Sequence, residues 1–136
     1  MNLSVGNHES TKKVFTQEEV NLYTKTSGDS NPIHYDLEYA KMTPFNKPIV
    51  PGLQVASLFG GLLGSKLPGK GTIHLAQTLQ FLKPVYINEE VKATIKIVSI
   101  RSDKPVITFE VTCVKDNGEI ALTGESVVIY KGEYFK

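Results

Sequence analysis

Leu53-Gln54-Val55-Ala56-Ser57-Leu58-Phe59-Gly60-Gly61-Leu62-Leu63 spreads apolar side chains around nearly the whole circumference of an α-helix. A helix apolar on every side has no face to give to water, so the pattern predicts a buried central helix. Its small residues, Ala56, Ser57, Gly60, Gly61 and the following Gly64, lower helix propensity but let a neighbouring backbone come close. That neighbour is encoded downstream. Ile73 to Leu82, Val91 to Ile100, Val106 to Val114 and Ile120 to Tyr130 are rich in β-branched and aromatic residues and read as strands. Val91, Ala93, Ile95 and Ile97 alternate with Lys92, Thr94 and Lys96, as in a strand with one buried face. Ser102-Asp103-Lys104-Pro105 and Asp116-Asn117-Gly118 are turn signals between successive strands, so the sheet is mainly antiparallel. Helices first and a long-stranded sheet afterwards make an α+β domain.

Upstream of the central helix the signals are local. Lys12 to Thr16 reads as a short strand, and Thr16 with Glu19 has the spacing of a helix capping box. A helix should follow and stop near Gly28, the residue type that a helix C-terminus favours. Asp29-Ser30-Asn31-Pro32 is then an ordered turn, because short polar side chains bond their own backbone and Pro32 pushes Asn31 out of the helical region. Another short helix is expected from Asp36 or Leu37 through Met42, ended by the region of Pro44.

The 136 residues fit one domain spanning 1–136. With 15 Lys+Arg against 14 Asp+Glu and no long like-charged run, nucleic acid is not an expected partner. A single cysteine, Cys113, excludes an internal disulfide framework, and with three scattered histidines it argues against a zinc cluster. No metal is expected in the site. Met1 to Lys13 is polar, without the apolar core of a secretion signal, and no apolar stretch reaches the roughly 20 residues of a membrane span. A soluble, cytoplasmic protein is expected, with no membrane partner.

Asp29 and His34 stand five apart, which on a continuous helix would send them to different sides, but the intervening turn lets them converge. A carboxylate and an imidazole together can grip one water, and histidine titrates near neutrality, so the pair suits general acid/base work. The plainer reading makes Asp29 a turn residue and His34 a packing histidine, and spacing alone favours it. Gly52 stands where the apolar helix begins, and leading N–H groups of a helix have no intrahelical partner and can hold an oxyanion. Equally, glycine there can simply allow a sharp turn after Pro51. Ser57, inside the helix, has the common option of bonding the carbonyl one turn back.

The run Gly28-Asp29-Ser30-Asn31-Pro32-Ile33-His34 resembles the Asp-x-Asn-Pro-x-His motif of the MaoC-like, (R)-specific enoyl-CoA hydratase family. The likeness continues through Tyr39-Ala40, Ile49-Val50-Pro51-Gly52, Ala56-Ser57-Leu58 and Gln80-Phe81-Leu82-Lys83-Pro84-Val85, covering roughly Phe15 to Tyr130. The resemblance implies a hotdog fold, a curved antiparallel β-sheet wrapped around a central α-helix, usually paired as a homodimer. It implies catalytic roles for Asp29 and His34, a thioester-binding N–H at Gly52, and substrate-side roles for Ser57 and Asn31. It also implies a reversible addition of water to a trans-2-enoyl thioester, with no cofactor beyond the coenzyme A or acyl carrier protein that carries the acyl group. Pro51 departs from the pattern, since relatives often have histidine immediately before the glycine.

Other readings share these residues: a dehydratase acting on acyl carrier protein, a noncatalytic acyl-binding hotdog subunit, or an acyl thioesterase. Gly64-Ser65-Lys66-Leu67-Pro68-Gly69-Lys70 imitates a phosphate-binding loop, but Gly71 stands where Ser or Thr is needed and the helix precedes the loop. It reads as a mobile connection whose Lys66 and Lys70 could attract coenzyme A phosphates. Cys113 reads as a core residue, and neither His8 nor His74 has a partner pattern.

Overall fold

The computed structural model describes residues 2–132. Its elements, in chain order, are β1 (His8–Val14), α1 (Gln17–Ser27), a 3-10 turn (Pro32–His34), α2 (Leu37–Lys41), α3 (Gly52–Ser65), β2 (Ile73–Phe81), β3 (Glu90–Ile100), β4 (Val106–Lys115) and β5 (Ile120–Ile129). The strands form one five-stranded sheet in the order β1-β3-β4-β5-β2, with every neighbouring pair antiparallel.

Side chains on one face of this sheet make the core. The registers Ala93↔Cys113, Ile95↔Val111 and Ile97↔Phe109 continue into Cys113↔Leu122 and Ile107↔Val128. All of these residues are buried. Val55, Phe59, Leu62 and Leu63 of α3 belong to the same cluster, and α3 packs against β3, β1, β2 and β4. Each such apolar side chain contributes about 1.5–3 kcal/mol on burial. Register irregularities at His74/Ala76, Ile97/Ser99 and Cys113/Val114 bend the strands, so the sheet curves around the helix in the hotdog manner.

The close pairing of β2 with β5 depends on Gly124. A Cβ at this position would stand 2.0 Å from the Thr78 carbonyl oxygen across the β2–β5 pair, so only glycine lets the two strands approach.

Three expectations are corrected. The first strand runs from His8 to Val14, not from Lys12 to Thr16, because Thr16 is used as the N-cap of α1, its side chain accepting from the Glu19 N–H. Polar β1 lacks an apolar alternation and is defined by its ladder to β3. The central helix is not covered all round in the single chain: Leu53 is 61% exposed, and Gly60, Gly61 and Gly64 are open too, because one sheet covers only one side. The connection after α3 is packed, with Leu67 buried, the Gly69 N–H donating to the Leu63 carbonyl at 2.9 Å and the Thr72 hydroxyl to the Gly69 carbonyl at 2.6 Å. No helix among the described residues is long and apolar enough to cross a membrane.

Burial pushes the Cys113 thiol up to about 12, so almost no thiolate exists at neutral pH in the folded state. Thiol labelling should therefore report opening of the sheet. Gly124→Ala should destabilise the fold by about 1–3 kcal/mol, lowering the urea midpoint and accelerating Cys113 labelling; an unchanged midpoint would show that β5 and β2 separate without loss.

Candidate active site

The loop that carries Asp29 is built by successive small hydrogen-bonded turns. Gly28 ends α1 in the left-handed region with φ 81°, which no side-chain-bearing residue adopts easily, and donates to the Thr24 carbonyl at 2.9 Å. The Asp29 N–H then donates to the Ser27 hydroxyl oxygen at 3.2 Å. Asp29 Oδ1 accepts from the Asn31 N–H at 3.1 Å, and Asn31 Oδ1 accepts from the Ile33 N–H at 3.2 Å. Pro32 opens the 3-10 turn, and the His34 N–H closes it on the Asn31 carbonyl at 3.1 Å. From α1, Gln17 Nε2 donates to the His34 carbonyl at 3.0 Å. Every step between Asp29 and His34 is therefore tied down.

His34 is buried, and its ring orientation is set from the far side. Nδ1 lies 2.8 Å from the Ile49 carbonyl oxygen, which can only accept, so Nδ1 carries the hydrogen. Ile49 is itself held by its N–H to the Ile33 carbonyl at 3.1 Å and by an isolated bridge to Tyr86. In the neutral ring Nε2 is then the free lone pair, and it faces Asp29 Oδ2 at 3.4 Å. That separation exceeds the roughly 2.7–2.9 Å of a tight charge-assisted bond. The pair thus keeps a basic nitrogen and a carboxylate oxygen side by side, neither fully engaged by the other.

Both residues line a cavity of about 450 Å³, within the range of small-molecule sites. Gly52 and Pro51, at the start of α3, line it too. Pro51 is the N-cap without a side-chain hydrogen bond, and its carbonyl accepts from Gln54 and Val55. The Gly52 N–H, which precedes those donors, has no acceptor within the helix. Gly52 does not sit in the left-handed region; instead, a Cβ there would meet Phe81 Cε1 at 2.6 Å. Glycine here leaves room for a neighbouring ring and does not answer to its own backbone angle.

Asn31 and Ser57 are placed differently. Neither lines the cavity. Asn31 spends its side chain on the turn, and the Ser57 hydroxyl donates to the Gln54 carbonyl at 2.5 Å, the ordinary use of a helix serine. Conversely, Tyr23, Phe81, Lys83 and Leu122 line the cavity without having been singled out from sequence. For Phe81 the signal existed, since alternation along β2 puts it opposite buried Leu122 on the helix-facing side. Tyr23 shares the face of α1 that holds buried Val20, three residues earlier. Among the described residues no cluster of His, Cys, Asp and Glu could hold a metal ion.

The sequence matches the family model of the MaoC like domain over residues 5–118. The chain belongs to the MaoC-like domain family. It is 44% identical over 126 residues to the (R)-specific enoyl-CoA hydratase of Aeromonas caviae, covering 93% of this chain and 94% of that one. It is 36% identical to the mitochondrial 3-hydroxyacyl-[acyl-carrier-protein] dehydratase FERN of Solanum lycopersicum, covering 93% of this chain and 77% of the relative. Among solved structures, the (R)-hydratase of A. caviae superposes with a TM-score of 0.93 at 43% identity, covering 94% of this chain and 97% of that one. The R-hydratase PhaJ1 of Pseudomonas aeruginosa gives 0.90 at 28% identity, covering 96% and 84%. The MaoC-like hydratases and dehydratases are hydro-lyases acting on acyl thioesters, and the hotdog architecture is theirs.

For this MaoC-like chain, the Ile49 carbonyl fixes which nitrogen of the neutral His34 ring carries the hydrogen. Nitrogen-15 spectra of the neutral protein should show His34 protonated at Nδ1 and unprotonated at Nε2; the opposite pattern would remove Nε2 as the proton-accepting atom.

Proposed function

We propose that the protein is an (R)-specific enoyl-CoA hydratase, catalysing the reversible addition of water to a trans-2-enoyl-CoA to give the (R)-3-hydroxyacyl-CoA. The observation that carries this reading is the 3.4 Å approach of His34 Nε2 and Asp29 Oδ2 in the cavity headed by Gly52. The stereochemistry and the coenzyme A thioester come from the names of the similar enzymes.

In the proposed reaction a water lies beside the pair and donates its two hydrogens to Oδ2 and Nε2. Its oxygen forms the bond to C3 as the pair removes one of its protons. The C2=C3 π electrons move toward the thioester, and the negative charge on its oxygen is held by the Gly52 N–H at the start of α3. The enolate-like intermediate then takes a proton at C2 from the pair, so one water is consumed and the pair returns to its starting state. Nδ1 is occupied by its bond to the Ile49 carbonyl, and Oδ1 accepts the Asn31 N–H, so Nε2 and Oδ2 are the atoms that face the water.

The A. caviae hydratase is spanned almost fully and matched at 44%, which favours coenzyme A over a carrier protein. The 36% match to a carrier-protein dehydratase supports the second reading. Comparing kcat/KM on matched coenzyme A and carrier-protein substrates separates them, and a strong carrier-protein preference would reverse the choice. Loss of the enoyl absorbance of crotonyl-CoA without release of free thiol is expected. Thiol release would indicate a thioesterase, and binding without turnover a noncatalytic subunit. Asp29→Asn and His34→Ala should each lower kcat by on the order of 10²–10⁴-fold while leaving the fold intact.

We propose further that the working form is a homodimer. β2 is an edge strand on which Ile73, Leu75 and Phe81 are each more than half exposed, at 52%, 55% and 54%, and the open stripe of α3 begins with Leu53. A long apolar edge left unpaired invites a second copy, and closed two-fold pairing satisfies it. Sedimentation and activity followed over one dilution series should fall together; a fully active monomer would sink the assembly.

A further inference from the structure

Phe81 ends β2, opposite Leu122 on the helix-facing side of the sheet, and lines the cavity with Asp29, His34 and Gly52. Its ring lies against the backbone of Gly52. A Cβ added to Gly52 would be 2.6 Å from Cε1 and 2.7 Å from Cδ1 of that ring, distances that real Cβ atoms essentially never show. The contact therefore exists because position 52 has no side chain.

The peptide under the ring is the one that matters most to the proposed chemistry. Pro51 has no N–H and offers no side-chain cap, so the Gly52 N–H is the first donor of α3 and points out of the helix. An N–H stabilises a developing oxyanion strongly only if it is held in place and kept out of bulk water. No side chain of position 52 can do either. From the Phe81–Gly52 contact we infer that Phe81 is a positioning residue for the oxyanion donor. The ring packs against the first peptide of α3 and holds it in place, and the absence of a side chain at Gly52 is the complement of that ring. The inference deepens the hydratase reading and rests on it.

A four-protein comparison tests this: wild type, Phe81→Ala, Gly52→Ala and the double variant, with crotonyl-CoA as substrate. Folding is checked by circular dichroism, and Phe81→Leu replaces Phe81→Ala if the alanine variant does not fold. Gly52→Ala keeps the N–H but forces ring and peptide apart, so kcat should fall by on the order of 10²-fold, the usual effect of a misplacement near 1 Å. Phe81→Ala should lower kcat roughly tenfold, well short of losing an oxyanion donor altogether, with KM changing far less. Phe81→Tyr, which keeps the ring, should restore kcat.

In the double variant the added methyl has room, so its kcat should match that of Phe81→Ala. Losses that multiply in the double variant would overturn the inference, as would a Phe81→Ala effect confined to KM, because Phe81 would then be only a wall. Both outcomes leave the hydratase reading standing. Absence of crotonyl-CoA hydration by the wild-type protein would overturn the two together.

Discussion

Burial of one side of α3 against the sheet is the constraint on which the other features hang. Val55, Phe59, Leu62 and Leu63 lock the helix rotation against the inward residues of β3, β4 and β5. Once that rotation is fixed, the first turn of α3 can only face the end of β2, where Phe81 stands. The preceding residues are fixed as well, since the Val50 N–H donates to the Val85 carbonyl at 2.7 Å and Ile49 is bridged to Tyr86. The carbonyl that orients His34 thus inherits its position from the same packing. Apolar packing of α3 and backbone hydrogen bonds around Ile49 together determine which nitrogen of the neutral His34 ring carries the hydrogen.

The Asp29–His34 loop supplies the opposite kind of order. Its rigidity is local, built from Asx-type turns, a proline and one glutamine reaching over from α1. Locally fixed loops keep side chains aimed without demanding that they touch, which is how Nε2 and Oδ2 can stand 3.4 Å apart without collapsing onto each other. Asp29 remains substantially exposed, with 41% of its side chain accessible, whereas His34 is nearly enclosed. Water has a route to the pair from the carboxylate side.

Most of the fold was legible because it rests on patterns a few residues long. The alternation in β3, the capping box at Thr16 and the left-handed Gly28 are all local signals, and each element stands within two residues or so of where those signals put it. β1 was blurred because its polar residues are held by ladder bonds to β3, which leave no imprint on composition. The exposed side of α3 was misread for a similar reason: apolarity all round predicts burial but does not say whether the cover comes from the same chain. At the site, the convergence of Asp29 and His34 followed from a break in the helix that the turn residues announce. Alternation along β2 announces which side of the sheet Phe81 takes but not its place against Gly52, because nothing local in the sequence brings residue 81 to residue 52.

The cavity joins pieces that are remote along the chain: residue 23 from α1, residues 29 and 34 from the loop after it, 45 and 49 to 53 with 55 around the start of α3, 81 at the end of β2 with 82 to 85 after it, and 122 from β5. None of these walls encloses a pocket alone. Loop-closure entropy must be overcome before such distant contacts form, so the site is assembled only when the whole sheet is. A substitution deep in the β2–β5 pair, far from Asp29 and His34, acts on the site through Phe81, Leu82 and Leu122, which belong to those strands or directly follow them. Stability of the sheet and shape of the cavity are the same property seen at two places.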